Sequence, residues 1–372
     1  MLPLIPAVGG VAVVILGQAA GRSENPNICY LVKALKSVST LGSGNSLGPE
    51  KPCIDAGIYL SDVVSSKIDK PGSISSGDGN TMMATGIAAG VSGGFNAPVS
   101  GVFFAIETLR VGDFPAVSNL FLSSISSSFI THVLLRDDLA FSTPELFFGN
   151  PNPKELPFYI GLGTLSGLTS SILTLTTAKL QAIKEEQLGE KKLYAFAPIF
   201  AGLLTGLVGI FRPRVLFNGY DTLNSILANT LPLPILLQLF ALKIITTSTA
   251  TASGLVGGQL APSLFIGATL GGAYHDCLVL SGLVPPESLS SAPTYALIGA
   301  ASVLSAKFKA PVFGSVLLFE LTRDYDVLFP LLGSAWVGTA VYERVMGRWG
   351  GDASGSGSGS GSGSDLEDKF LL

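Results

Sequence analysis

The chain has 372 residues, of which 13% are charged and 47% are hydrophobic, and its mean hydropathy is +0.52. Because an average soluble domain carries about 25% charged residues, this composition excludes an ordinary soluble domain and favours an integral membrane protein. The net charge of −4 accompanies no basic stripe, and the three cysteines have no metal-ligand spacing, so we expect neither nucleic-acid binding nor a metal site.

The first half contains charge-free apolar runs long enough to approach the roughly 20 residues of a membrane-spanning helix. We predict an N-terminal span and a short helix, followed by a helix that begins abruptly after a Gly/Pro motif, a polar loop, a helix pair and a further span. In order, these elements are 2–20, 28–43, 48–67, the loop 71–80, 81–93, 96–110 and 115–135.

The second half repeats this style of organisation after a Pro-rich loop at 144–157. We predict a long helix, three spans, a second helix that begins after a Gly/Pro motif, and three final helices. These elements are 156–186, 193–211, 217–229, 234–250, 260–277, 292–305, 311–323 and 327–345. A strict Ser-Gly alternation over 354–364 predicts a flexible linker.

We therefore divide the chain into three parts. The first transmembrane repeat, which is shortened, covers 1–143, and the second covers 144–345. A Ser/Gly linker and a tail occupy 346–372.

Two motifs occur twice in the same order, which indicates internal duplication. Residues 48–57 and 258–267 share the frame G-x-x-x-P-x-x-x-x-G, and the segments 95–107 and 308–320 share F-x-A-P-V, a glycine and a glutamate. Duplicated, Gly/Pro-broken helices that meet at a central site are typical of membrane transporters.

The duplicated Gly/Pro frames predict an anion site. A helix start exposes unsatisfied N–H groups and a partial positive charge, and a proline fits the first helical turn without losing a hydrogen bond. We therefore predict that Gly48 and Gly258 lie close together near the middle of the membrane. Glu50 lies at the start of the first copy, where its carboxylate can occupy the anion position and leave when protonated or displaced. The alternative is a surface glutamate favoured by the helix dipole.

These residues resemble the signatures of the CLC chloride channel and transporter family. Gly48-Pro49-Glu50-Lys51-Pro52 is similar to its G-[KR]-E-G-P motif, 258–262 to its G-x-F-x-P motif, and 88–107 to its A-A-F-N-A-P segment. The resemblance runs from about residue 2 to 345 and points to the cyanobacterial and plant-algal organellar branch. It implies an all-α polytopic protein, built as an inverted-repeat bundle with broken and re-entrant helices.

By this resemblance, Glu50 is the gating glutamate and chloride is the bound substrate, with no cofactor. The residues implied to surround the anion are those of the two Gly/Pro frames: Gly48, Pro49, Lys51, Gly258, Gln259, Leu260 and Ala261. Glu107 and Thr108 occupy the implied proton path. The resemblance further implies a homodimer in a lipid bilayer, with an organellar membrane expected and the plastid thylakoid ahead of the Golgi.

The chain departs from the family pattern at four places. A serine-bearing G-S-G-I-P motif has only a weak trace, at 21–26, and Lys51 replaces the second glycine of the gating signature. No clear counterpart exists for the anion-coordinating tyrosine, since Tyr342 is out of register. Thr108 stands where many exchangers have a glutamate, with Glu107 beside it.

The leading interpretation is transport of chloride or nitrate through a voltage- or pH-gated channel or an anion/proton exchanger. One alternative is a shortened, transport-incompetent subunit that acts only in dimer assembly. Another is an unrelated transporter of an organic anion. An enzyme is not expected, because no nucleophile–base or metal-ligand constellation stands out.

Overall fold

The computed structural model describes residues 4–20, 25–68, 78–111, 114–135, 153–188, 196–282, 285 and 288–353. Among these residues the chain forms fourteen α-helices and no β-strand. The predicted Ser-Gly linker, the boundary between the repeats at 143 and most of the loops 71–80 and 144–157 lie outside the described residues. The all-α prediction is confirmed.

The first six helices follow the predicted order. They are α1 (Ile5–Ala20), α2 (Pro26–Gly42), α3 (Glu50–Ile68), α4 (Asp78–Phe95), α5 (Pro98–Leu109) and α6 (Phe114–Leu135). Asn25, at the edge of the weak 21–26 trace, serves as the N-cap of α2, and its side chain accepts a hydrogen bond from the Asn27 amide at 3.0 Å.

The described part of the second half contains eight α-helices. They are α7 (Leu156–Ile183), α8 (Ala197–Phe211), α9 (Tyr220–Leu227), α10 (Leu233–Ser253), α11 (Leu260–Ser281), α12 (Ala292–Phe308), α13 (Pro311–Thr322) and α14 (Leu328–Ala353). Within the described ranges, four helical segments are long and apolar enough to cross a membrane: Pro115–Leu134, Leu156–Glu186, Leu233–Ser253 and Leu260–Ser281. The last helix continues past its predicted end at 345.

The prediction of one span over 217–229 is wrong. A 3-10 turn, Pro213–Val215, is followed by an irregular stretch and then by α9, which has 8 residues and is too short to cross a bilayer. Phe217 and Gly219 adopt positive φ angles of 58° and 91°, which a continuous helix cannot contain. This irregular stretch brings Tyr220 toward the interior.

The two repeats pack their helices in equivalent ways. A Cβ atom on Gly57 of α3 would lie 2.0 Å from the Gly86 carbonyl oxygen of α4, and one on Gly267 of α11 would lie 2.3 Å from the Gly299 carbonyl oxygen of α12. Glycine at these positions lets the backbones approach, as small residues do between helices in lipid. The corresponding pairs α3–α4 and α11–α12 therefore hold the starts of both broken helices in place.

Glutamates link the repeats reciprocally. The Glu107 carboxylate of α5 accepts hydrogen bonds from the amides of Val312 and Phe313 at 3.0 and 2.7 Å. These amides begin α13, so Glu107 satisfies donors that have no partner within their helix. The Glu320 carboxylate of α13 does the same for the Val99 and Ser100 amides of α5, at 2.9 and 2.7 Å. Each repeat thus completes a helix of the other.

Candidate anion site

The two Gly/Pro segments meet in the interior. Gly48 and Gly258 form an antiparallel bridge, in which the Gly48 amide donates to the Gly258 carbonyl at 2.9 Å and the reverse bond measures 2.7 Å. Immediately beyond this bridge, α3 begins at Glu50 and α11 at Leu260. The predicted approach of the two helix starts is therefore observed, and their positive ends converge on one region.

Glu50 lies at this convergence and is completely buried. Its Oε1 accepts a short hydrogen bond from the Tyr220 hydroxyl, and the amides of Glu50 itself and Ala261 also lie near the carboxylate. Its Oε2 has no hydrogen-bond partner among the described residues. A buried carboxylate with one open oxygen is expensive to keep ionised unless positive charge or donors surround it.

Tyr220 is the site residue that sequence reasoning missed. It begins α9, directly after Gly219, and the preceding loop is attached to the first repeat because the Phe217 amide donates to the Gly44 carbonyl at 3.1 Å. The only sequence signal was the polar interruption Asn218-Gly219 within a run read as a span. Tyr342 is used elsewhere, since its hydroxyl lies 3.3 Å from Thr174 Oγ1 of α7.

The remaining residues of the duplicated frames line the surroundings of Glu50. The Pro49 carbonyl accepts from the Cys53 amide at 3.2 Å in the first turn of α3. Leu260 and Ala261 are buried at the start of α11, where their amides have no intrahelical acceptor. The structure thus brings both frames together around one carboxylate.

A cavity of about 50 Å³ lies beside the Gly48–Gly258 bridge. Lys51 and Gln259 contribute to its lining, together with Asp55, which forms an ion pair with Lys33 at 3.1 Å. The Gln259 Nε2 donates to Thr251 Oγ1 at 2.8 Å, whereas its buried Oε1 has no partner among the described residues. Lys51 therefore contributes to a cavity beside the bridge, and its influence on Glu50 stays a prediction.

Glu107 and Thr108 are placed apart from this arrangement. The described hydrogen bonds of Glu107 go to the start of α13, as given above, and not to Glu50 or Tyr220. The Thr108 hydroxyl is buried and has no hydrogen-bond partner within the described part of the chain. These contacts favour a helix-capping role for Glu107, while the proton path stays a prediction.

The fold and these joined helix starts define a polytopic α-helical membrane protein in which two broken helices meet around a buried carboxylate. The sequence profile described as "Voltage gated chloride channel" matches residues 5–343. The chain therefore belongs to the voltage-gated chloride channel, or CLC, family, and the predicted resemblance is confirmed.

Named relatives agree with this assignment. The chain is 36% identical to chloride channel protein CLC-e of Arabidopsis thaliana, over 92% of this chain and 52% of the relative. It is 32% identical to CLC-f of the same plant, over 91% and 46%. It is 28% identical to the H(+)/Cl(-) exchange transporter ClcA of Salmonella arizonae, over 81% and 63%. The chain thus spans about half the length of its plant relatives.

Solved structures share the fold. A slow cyanobacterial Cl−/H+ antiporter superposes with a TM-score of 0.81 at 20% identity, covering 93% of this chain and 84% of that one. A eukaryotic CLC transporter gives a TM-score of 0.69 at 19% identity, over 91% and 58%. The inverted-repeat architecture with broken helices is therefore the fold of this chain.

Proposed function

We propose that this chain conducts chloride through a path controlled by Glu50. The observation that carries the proposal is the buried Glu50 carboxylate, held by Tyr220 where the starts of α3 and α11 converge. An ionised carboxylate there occupies the position that favours an anion, so it competes with chloride. Protonation or displacement of Glu50 frees this position, and we expect chloride flux to rise as the pH falls.

Nitrate is the second proposed substrate, because a site built from backbone amides and helix dipoles recognises a small monovalent anion largely by charge. Proton coupling is decided by measuring both fluxes. Since Thr108 cannot titrate, strict exchange requires another residue to carry the proton. We therefore expect chloride movement that is not tightly coupled to protons.

We also propose that the chain forms a homodimer in an organellar membrane, with the plastid as the expected organelle. The apolar helix α6 is only 11% buried within the single chain over its spanning window. Such a face is covered by lipid or by a second copy. Cross-linking in native-like membranes tests the dimer, and imaging of a tagged chain in plant cells tests the location.

The deciding experiment is flux from liposomes. The purified full chain is reconstituted with a potassium chloride gradient, and external chloride is recorded after a potassium ionophore is added, with external pH followed in parallel. Chloride efflux that exceeds the efflux from protein-free vesicles supports the proposal. A correctly folded dimer without chloride or nitrate flux would refute it and favour the transport-incompetent assembly subunit.

A further inference from the structure

A completely buried lysine lies behind the anion site. Lys243 is in the middle of α10, its side chain is 0% exposed, and it is the one Lys, Arg, Asp or Glu between residues 222 and 275. Burial of an ammonium group in a membrane protein costs free energy and marks a functional candidate when the charge has a purpose. None of the sequence motifs includes this residue.

The contacts of Lys243 are two carbonyl acceptors and an aromatic ring. Nζ donates to the carbonyl oxygens of Val215 and Phe217 at 3.0 and 2.8 Å, and it lies 4.9 Å from the centroid of the Phe265 ring. No ion pair joins Lys243 to a carboxylate within the described residues. Carbonyl dipoles and an aromatic face are partners that stabilise a cation.

Both carbonyls belong to the loop that delivers Tyr220 to Glu50. A Cβ atom on Gly219, the residue before Tyr220, would lie 3.4 Å from Lys243 Nζ. Tyr220 follows Gly219 directly, and its hydroxyl donates to Glu50 Oε1. The amine of Lys243 therefore lies against the backbone that positions the hydroxyl donor of the site.

We propose that Lys243 is the fixed cation of the anion site. In the closed state its positive charge balances the Glu50 carboxylate. When Glu50 leaves, the same charge balances the chloride ion that takes its place, so the net charge of the site is the same in both states. Lys243 also positions Tyr220 through its two carbonyl bonds. This proposal rests on the proposed function. It identifies Lys243 as the positive charge that attracts both the Glu50 carboxylate and chloride.

Chloride binding to the purified full chain tests the proposal independently of transport. Isothermal titration calorimetry with sodium chloride in an isethionate background compares wild type with Lys243→Gln, which keeps a donor and removes the charge, and with Lys243→Arg, which keeps the charge. We expect Lys243→Gln to weaken chloride binding by at least about tenfold and Lys243→Arg to stay within about threefold of wild type.

Lys307→Gln is the matched control. Lys307 is another buried lysine, but it is on α12 and donates to Thr174 Oγ1 of α7 at 2.9 Å. We expect its loss to leave chloride affinity unchanged. If Lys243→Gln is not monodisperse or does not melt like wild type, Lys243→Met replaces it. We expect Lys243→Met to weaken chloride binding as much as Lys243→Gln.

Three results would overturn the proposal. The first is wild-type affinity in an uncharged Lys243 variant, and the second is a Lys243→Arg variant that binds as weakly as Lys243→Gln. The third is a folded wild-type chain that binds no chloride. Wild type that binds chloride but gives no flux would refute the proposed transport and leave the assignment of Lys243 intact. If Lys243→Gln keeps both chloride flux and wild-type chloride binding, the assignment of Lys243 is refuted and the proposed transport stands.

Discussion

Removal of the Tyr220 hydroxyl isolates the contact that holds Glu50 in the site. In Tyr220→Phe the ring remains, while Glu50 Oε1 loses its described side-chain donor. A hydrogen bond to a charged group contributes about 1.5–3 kcal/mol. Since Glu50 is fully buried, solvent does not replace the lost donor, although the nearby amides of Glu50 and Ala261 remain. We therefore use the lower end of this range.

A loss of about 1.5 kcal/mol corresponds to roughly one pH unit in the protonation of Glu50. The hydroxyl stabilises the ionised carboxylate, so its removal lets Glu50 accept a proton at higher pH. We expect the pH midpoint of chloride flux in Tyr220→Phe to move upward by about one unit, with higher flux at neutral pH.

Liposome flux measured from pH 4 to 8 checks this expectation. Tyr342→Phe is the matched control, because Tyr342 is also buried and its hydroxyl contacts Thr174 instead of Glu50. A midpoint in Tyr220→Phe that coincides with wild type, or that moves downward, would refute the reasoning. An equal upward movement in Tyr342→Phe would attribute the effect to general loosening of the fold.

Four further predictions concern the site and its supports. Glu50→Gln mimics a protonated gate, so its flux should lose pH and voltage dependence, whereas Glu50→Asp should keep titrating; an unchanged pH profile in Glu50→Gln would remove this residue from gating. Lys51→Gly removes a cation that favours ionised Glu50, so flux should increase and its pH response should move upward; if neither changes, Lys51 is a bystander. Glu107→Ala leaves the first amides of α13 without their carboxylate acceptor and should lower the free energy of unfolding by about 2 kcal/mol. Thermal unfolding in detergent measures this loss, and a variant that unfolds at the wild-type temperature would contradict the capping role. Gly57→Ala places a methyl group against α4 and should also lower the unfolding temperature, whereas Gly42→Ala, with nothing within 4 Å, should not; equal stability of the two variants would contradict the close-packing argument.

The meeting of the two broken helices could be predicted because its determinants are local. Each Gly/Pro frame specifies where a helix starts, and the duplication indicates that both starts point to one place. Helices α3 and α11 begin within two residues of the predicted positions 48 and 260. The partners of Glu107 in α13 could not be identified in advance, because they lie 205 and 206 positions away along the chain.

Tyr220 and Lys243 could not be found in this way, because their roles depend on distant contacts. The bond from Tyr220 to Glu50 joins residues 170 positions apart, and no repeat or spacing links them. The sequence predicted a span over 217–229 because of the apolar content of this stretch. The positive φ angles at Phe217 and Gly219 that interrupt the helix are visible only in the structure. An uninterrupted helix there would have carried Tyr220 past the site.

The reciprocal capping by Glu107 and Glu320 bears on how this architecture arose. The first amides of α5 and of α13 have no hydrogen-bond acceptor within their own helix. In each half of the chain, the acceptor is a carboxylate from the other half. An ancestral single repeat could have made the same bonds only with a second, oppositely oriented copy of itself. In such a pair the contact would be a symmetric interface between separate polypeptides, whereas in this chain it is internal and shared by both halves.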